Sequence, residues 1–194
     1  MLQGSLEVHY GPMFSDKTSS LIDLYLELVA RGDNVVCVKP SLDNRYGDDG
    51  KLYSHNGRSA PAFLIDGQKP ESIYQLFPPG CTHLIVDESN FLPAAGIDII
   101  RNLLDQGVNI YVAGLDLDFS GQNFGSTLEL IQWAEALAAE GRGAVVKHTA
   151  ICDGCQGEAT MSYAKQIMTR QVLVAAADGY GAACPSCHPT LNRG

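Results

Sequence analysis

The chain has 194 residues, 45% of them hydrophobic and 18% charged, which suits one ordinary domain with a small appendage and excludes a large multidomain machine. Lys plus Arg number 13 against 22 Asp plus Glu, a net charge of -9 with a pI near 4.8 and a mean hydropathy of -0.02. Without a basic run, this is not a chain built for sequence-independent nucleic-acid binding, whose affinity comes from phosphate neutralisation. A nucleotide site remains open, because one Lys and a ring of backbone N–H groups suffice for a phosphate chain. No stretch reaches the roughly 18 apolar residues of a membrane span, and the first residues lack a basic start followed by an apolar run. The expectation is a cytoplasmic protein with no membrane partner.

In chain order, Leu6 to Tyr10, Asn34 to Val38, His83 to Val86 and Asn109 to Ala113 are short and rich in β-branched residues or Tyr, as buried strands are. Between and after them, Lys17 to Arg31, Ala94 to Gln106 and Ser126 to Gly141 carry apolar residues at helical spacing, such as Leu21, Leu24 and Leu28 or Ile97, Ile100 and Leu104. Alternating strands and helices predict a parallel sheet covered on both faces. Past Gly143 the composition turns to Cys, Gly and small residues. This predicts two units, residues 1–145 and 146–194.

The first strand runs directly into Gly11-Pro12-Met13-Phe14-Ser15-Asp16-Lys17-Thr18 and then a helix. That is the setting of a phosphate-binding loop of pattern G-x-x-x-x-G-K-[ST], met at Gly11, Lys17 and Thr18 and broken at Asp16. In such a loop the amides and the helix N-terminus hold phosphates, Lys17 reaches the terminal ones and the Thr18 hydroxyl meets Mg²⁺. The plainer alternative is a strand-to-helix turn capped by Ser15 or Asp16. The strand ending in Asp87-Glu88 supplies the second element: a carboxylate at the C-terminal edge of a parallel strand faces the same crevice, where Asp holds Mg²⁺ and Glu serves as a base. Alternatively, both carboxylates open a solvated loop.

Cys152 and Cys155, with Cys184 and Cys187, form two C-x-x-C pairs. Such turns build a closed tetrahedral Zn²⁺ site in a segment too small to hold itself by burial. The rival readings are free thiols or a redox pair, and His188 is an adjacent substitute ligand.

Gly11 to Thr18, Lys39-Pro40 with Asp43-Asn44-Arg45-Tyr46, Ser54 to Gly57, Val86-Asp87-Glu88 with Phe91, Gly114 to Phe119 with Phe124-Gly125, and the two cysteine pairs come in one order across nearly the whole chain. Together they resemble the type II thymidine kinases. The resemblance implies a P-loop (RecA-like) α/β domain, a small zinc-binding domain with a lasso loop, and ATP-dependent phosphorylation of the thymidine 5′-hydroxyl. It assigns Glu88 as general base, Lys17 and Thr18 to phosphates and Mg²⁺, and Asp43, Arg45 and Asp87 to the metal and transfer site, with Gly11, Met13, Ser15 and Asp16 in the ATP-binding loop. Met13, Phe91, Leu115, Phe119, Phe124 and Tyr180 line the base pocket, while Ser162 and the backbone of Leu173, Val174, Ala175 and Ala176 read the pyrimidine edge. It further implies a homotetramer and a feedback nucleoside triphosphate. By residue type alone, Arg45 reads as a surface charge, the apolar pocket residues as core, and Asp116 and Asp118 as solvated loop carboxylates.

The chain departs from the family pattern at Asp16, where a Gly precedes the Lys, and at Asn90, Ser120 and Ala175-Ala176, where Gln, Arg and glycines are usual. A carboxylate about 4 Å from a phosphate oxygen is repelled by roughly 4 kcal/mol at an effective dielectric near 20, about three decades in affinity. The second reading is therefore an inactive or weakened nucleotide-binding relative. A third, a different P-loop ATPase, lacks any recognisable partner-acting module.

Overall fold

The computed structural model describes residues 3–41, 50–54, 56–66, 69–165 and 179–189. Six strands form one sheet: β1 (Leu6–Tyr10), β2 (Val35–Ser41), β5 (Phe63–Asp66), β6 (His83–Val86), β7 (Asn109–Gly114) and β8 (Gly143–Lys147). Their order across it is β5-β2-β6-β7-β1-β8, and every pairing is parallel. A hairpin of β3 (Lys51–Tyr53) and β4 (Ser59–Pro61) precedes β5. β6 matches the expected strand to the residue, β7 extends one residue further, and β2 is shifted, running on through Lys39 and Pro40 to Ser41.

Side-chain alternation sends each strand's apolar residues to two faces. Leu6 and Val8, Val36 and Val38, Leu84 and Val86, and Ile110 and Val112 meet α2 (Ala94–Asp105) and α3 (Thr127–Ala138) on one face. Cys37, Ile85 and Ala113 meet Leu21, Ile22 and Leu28 of α1 (Lys17–Ala30) on the other. The expected two-sided coverage is realised, and α3 is three residues shorter at its end than the Gly141 stop implied. Burial on both faces explains the continuous apolar runs.

After β8 the chain forms two small antiparallel pairs, β9 (Ala150–Ile151) with β10 (Glu158–Ala159) and β11 (Met161–Ala164) with β12 (Tyr180–Ala183). Their shared core is Ala150, Cys152, Ala159, Ala182 and Ala183. Alanines bury little area each, so apolar burial contributes weakly to this region.

Candidate active site

Parallel strands all end on the same side, and the candidate residues follow those ends. Gly11 leaves β1, Asp87 and Glu88 leave β6, Leu115 and Asp116 leave β7, and His148 leaves β8. Gly11 lies against the chain after β8: a Cβ there would stand 2.2 Å from the His148 carbonyl oxygen. That close approach, at φ +140, requires glycine.

The phosphate-loop lysine and its carboxylates are brought together. Thr18 Oγ1 donates to Asp87 Oδ2 at 2.9 Å, and Asp87 Oδ1 accepts the Glu88 backbone N–H at 2.9 Å. Asp87 is 6% exposed, and burial raises its pKa against the opposing pull of Thr18, the Glu88 N–H, Lys17 and Lys39. Lys17 Nζ turns back over the loop to the Pro12 carbonyl at 2.6 Å and to Ser15 Oγ at 3.2 Å. Burial pulls Lys17 down to about 8, opposed by Asp87, Asp116 and Asp16. A half-buried lysine whose hydrogen bonds go to neutral oxygens is ready for a charged partner, such as a phosphate chain. Thr18 and Asp87 are the pair suited to Mg²⁺, an oxygen-seeking cation.

Glu88 stands in the left-handed region (φ 54, ψ 42), an unusual place for a non-glycine residue. Its carboxylate lies 3.5 Å from Lys39 Nζ. The fixed backbone turn aims Glu88 away from the strand line, as a positioned base requires.

Asp16 also adopts the left-handed region (φ 58, ψ 20) and makes no side-chain cap bond to the helix amides. Instead its exposed carboxylate accepts the Ser19 hydroxyl at 3.2 Å. The backbone thus takes the conformation a glycine provides; Asp is among the few other residues that visit it.

Beside these groups, Phe91 and Phe124 meet edge to face, ring centroids 5.4 Å apart. Asn90 Oδ1 accepts the Leu115 N–H at 3.0 Å, whereas its buried Nδ2 has no partner among the described residues. The Met13 N–H donates to Ser162 Oγ at 2.9 Å, which ties the loop to β11. Phe119 and Tyr180 are half-buried, on the β7 side and on β12 respectively. Asp43, Arg45, Leu173, Val174, Ala175 and Ala176 lie outside the described residues.

Asp118 is not solvated as its residue type suggests. It is buried and accepts the backbone N–H groups of Ser120 and Gln122 and the Ser120 hydroxyl at 2.7–3.0 Å. Ser120 therefore serves the turn itself. Asp116 is partly buried, and desolvation raises its pKa against Lys17 and Lys147.

The sulfurs of Cys152, Cys155, Cys184 and Cys187 lie within 4.8 Å of one another. The Cys155 and Cys184 sulfurs are 3.8 Å apart, far beyond the roughly 2.05 Å of a disulfide. Backbone N–H groups of Cys184, Cys155 and Gly154 draw Cys152 down to about 6, while the three neighbouring sulfurs push Cys187 up to about 12. Four such thiols ionise together only around a cation, so the donor set fits a tetrahedral metal of zinc type. His188 is not turned to this cluster: it is fully buried with Nε2 3.0 Å from the Ser162 carbonyl.

A sequence model described as "Thymidine kinase" matches residues 4–188. The chain belongs to the thymidine kinase family. A thymidine kinase of Mesomycoplasma hyopneumoniae is 32% identical over 95% of each chain. One from Deinococcus radiodurans is 37% identical over 81% of this chain and 74% of the relative, and one from Aster yellows witches'-broom phytoplasma is 35% identical over 81% and 70%. Among solved structures, the large terminase of a thermophilic bacteriophage matches with a TM-score of 0.47 and 9% identity over 76% of this chain and 41% of that one. As a family member the chain is a kinase, and its parallel sheet with the flanking helices is the P-loop arrangement that the motifs predict. Among the described residues, no helix is long and apolar enough to cross a membrane.

Two groups escape sequence reasoning. Asn90 stands out in the sequence only as shorter than Gln, and His9 and His148 belong to no motif. A signal for the histidines is nevertheless present: Glu7 and His9 lie in the first strand, and His148 follows the neighbouring strand β8.

Proposed function

We propose that this kinase transfers the terminal phosphoryl group of ATP to the 5′-hydroxyl of thymidine. The observation that carries the reading is the Thr18–Asp87 hydrogen bond at 2.9 Å, which joins the loop to the second carboxylate strand with Lys17 and Glu88 beside it. Phosphoryl transfer asks mainly for positioning and charge neutralisation. Lys17 and the loop amides after Gly11, through Met13, Ser15 and Asp16, bind and orient the phosphates. Glu88 takes the proton of the attacking hydroxyl, with the Lys39 ammonium 3.5 Å from its carboxylate. Thr18 and Asp87 would hold Mg²⁺, which would supply neutralisation of phosphate charge. By the family resemblance, Asp43 and Arg45 complete that site.

Met13, Phe91, Leu115, Phe119, Phe124 and Tyr180 form the walls for the base, and Ser162 with the backbone of residues 173–176 reads its edge. The edge-to-face Phe91–Phe124 pair supports the first assignment. Ser162 has its hydroxyl on Met13 and its carbonyl on His188, so we assign it to holding loop and pocket together as well. Cys152, Cys155, Cys184 and Cys187 would hold Zn²⁺, which would fix the hairpins. Homotetramer assembly, inhibition by a nucleoside triphosphate and a cytoplasmic location rest on the resemblance; light scattering in solution tests the first.

Asp16 favours the kinase reading over the weakened relative, because its carboxylate engages Ser19 on the first turn of α1. A radiolabelled assay of thymidine with Mg-ATP, run on this chain and on Asp16→Gly, decides between them. Thymidine monophosphate formation by the unaltered chain is the expected result. Activity appearing only in Asp16→Gly would establish the weakened relative.

A further inference from the structure

Each of the two cysteine turns sends one polar side chain to the same strand, β11. His188, directly after Cys187, is fully buried, with Nε2 3.0 Å from the Ser162 carbonyl oxygen. Because a backbone carbonyl only accepts, Nε2 carries the hydrogen and donates it. Asp153, between Cys152 and Cys155, accepts the Tyr163 hydroxyl at 3.0 Å and the Ala182 backbone N–H at 3.2 Å. The Tyr163 ring meets His188 edge to face, with centroids 6.3 Å apart. Gly181, which pairs with Tyr163 across β11 and β12, leaves room for these contacts: a Cβ there would stand 2.3 Å from Asp153 Oδ2 and 2.5 Å from the Tyr163 ring.

Ser162 passes the contact on. It is 2% exposed, and its Oγ accepts the Met13 N–H at 2.9 Å. That N–H belongs to the Pro12–Met13 peptide, whose carbonyl accepts Lys17 Nζ at 2.6 Å and Ser15 Oγ at 2.8 Å. The peptide is trans, hence planar with N–H and C=O pointing opposite ways. Pinning the N–H on Ser162 therefore fixes the direction of the carbonyl on which Lys17 rests. The two turns differ in weight: the His188 bond is buried and costs more to lose than the exposed Asp153–Tyr163 bond.

We infer that His188 is a positioning residue of this kinase, which carries the setting of the cysteine cluster through Ser162 to the Pro12–Met13 peptide and so orients the phosphate loop around Lys17. The links are the Cys187–His188 peptide bond, His188 to the Ser162 carbonyl, Ser162 Oγ to the Met13 N–H, and the Pro12 carbonyl to Lys17. Asp153 and Tyr163 hold the same strand from the other cysteine turn. A loop held in this way before phosphate arrives has less ordering left to do on binding. His188 is not turned to the sulfurs, so its effect on the loop is separable from metal binding. The consequence for Mg-ATP rests on the kinase reading, whereas the link from the hairpins to the loop belongs to the free protein.

The test compares His188→Phe, which keeps a ring against Tyr163 but has no N–H, with His188→Gln, which restores a donor. In zinc-loaded His188→Phe, the Met13 amide should exchange with solvent roughly two- to tenfold faster, the scale of one hydrogen bond, and Mg-ATP should bind more weakly by a similar factor in calorimetry. His188→Gln should recover most of both. Unchanged Met13 exchange in zinc-loaded His188→Phe would overturn the inference whatever the protein binds. Faster exchange with undiminished Mg-ATP affinity would overturn it too, because the link would then stop at the hairpins. Should His188→Phe fail to fold or to keep zinc, the unaltered chain decides. As a chelator withdraws the metal, the Met13 amide should open together with those of β11 while β1 stays protected, and a Met13 amide still protected after β11 has opened would overturn the inference. Absence of Mg-ATP binding by every form would instead strike the kinase reading, with Met13 exchange still deciding the link.

Discussion

The sheet and the cysteine-bearing hairpins reach order by different physics. In the sheet, Leu6, Val8, Val38, Leu84, Val86, Ile110 and Val112 are fully buried, and burial is the main stabilising effect. In the hairpins the core is four alanines and Cys152, and four sulfurs within 4.8 Å take the place of a core. The site draws on both. Its phosphate loop grows from the sheet, but Met13 is held by Ser162 of the hairpins. The sheet thus positions the charged groups, while the cysteine-bearing hairpins tie down the loop beside them.

The largest effect should come from removing the metal. Cys152→Ser, or chelation, should abolish amide-exchange protection in β9–β12 and leave the sheet protected, because structural Zn²⁺ sites contribute about 10–16 kcal/mol of apparent binding energy. Unchanged protection in the hairpins would erase the contrast. Ile110→Ala should destabilise the whole chain by about 2–5 kcal/mol in denaturant titration without releasing zinc. Ser162→Ala probes the seam: loss of the Met13 bond should cost about 1 kcal/mol and weaken Mg-ATP binding with zinc content unchanged.

A further effect, of similar size, is electrostatic. Lys17 is pulled from the usual 10.5 to about 8, so the nucleotide-free loop keeps its cation below about pH 8 and loses it above. Mg-ATP affinity should therefore be level below pH 8 and fall by at most about tenfold per unit above it. A profile flat to pH 9.5 would show that binding takes up no proton at Lys17 and would contradict the lowered pKa of the nucleotide-free loop.

Much of this is legible in the sequence, because it depends on local pattern. The apolar runs mark β1 and β6 to the residue, α1 begins where the Lys17 pattern places it, and C-x-x-C spacing announces the sulfur cluster. What escapes depends on contacts between distant segments. β9 to β12 have two to four residues each, too short for a periodic signal. His9 and His148 meet only because β1 and β8 are neighbours. Asp118 looks solvated by type because most of its partners, at Ser120 and Gln122, are backbone donors that carry no sequence signature.

The central claim of the proposed function is that Glu88 acts as the base at a strand end beside the loop. The most direct test measures turnover and Mg-ATP affinity together for Glu88→Gln, which keeps shape and hydrogen bonding but cannot accept the proton. Turnover should fall on the order of 10² to 10⁴-fold with nucleotide affinity nearly unchanged. Undiminished turnover would contradict this role, making Glu88 a structural partner of Lys39 and placing the base elsewhere.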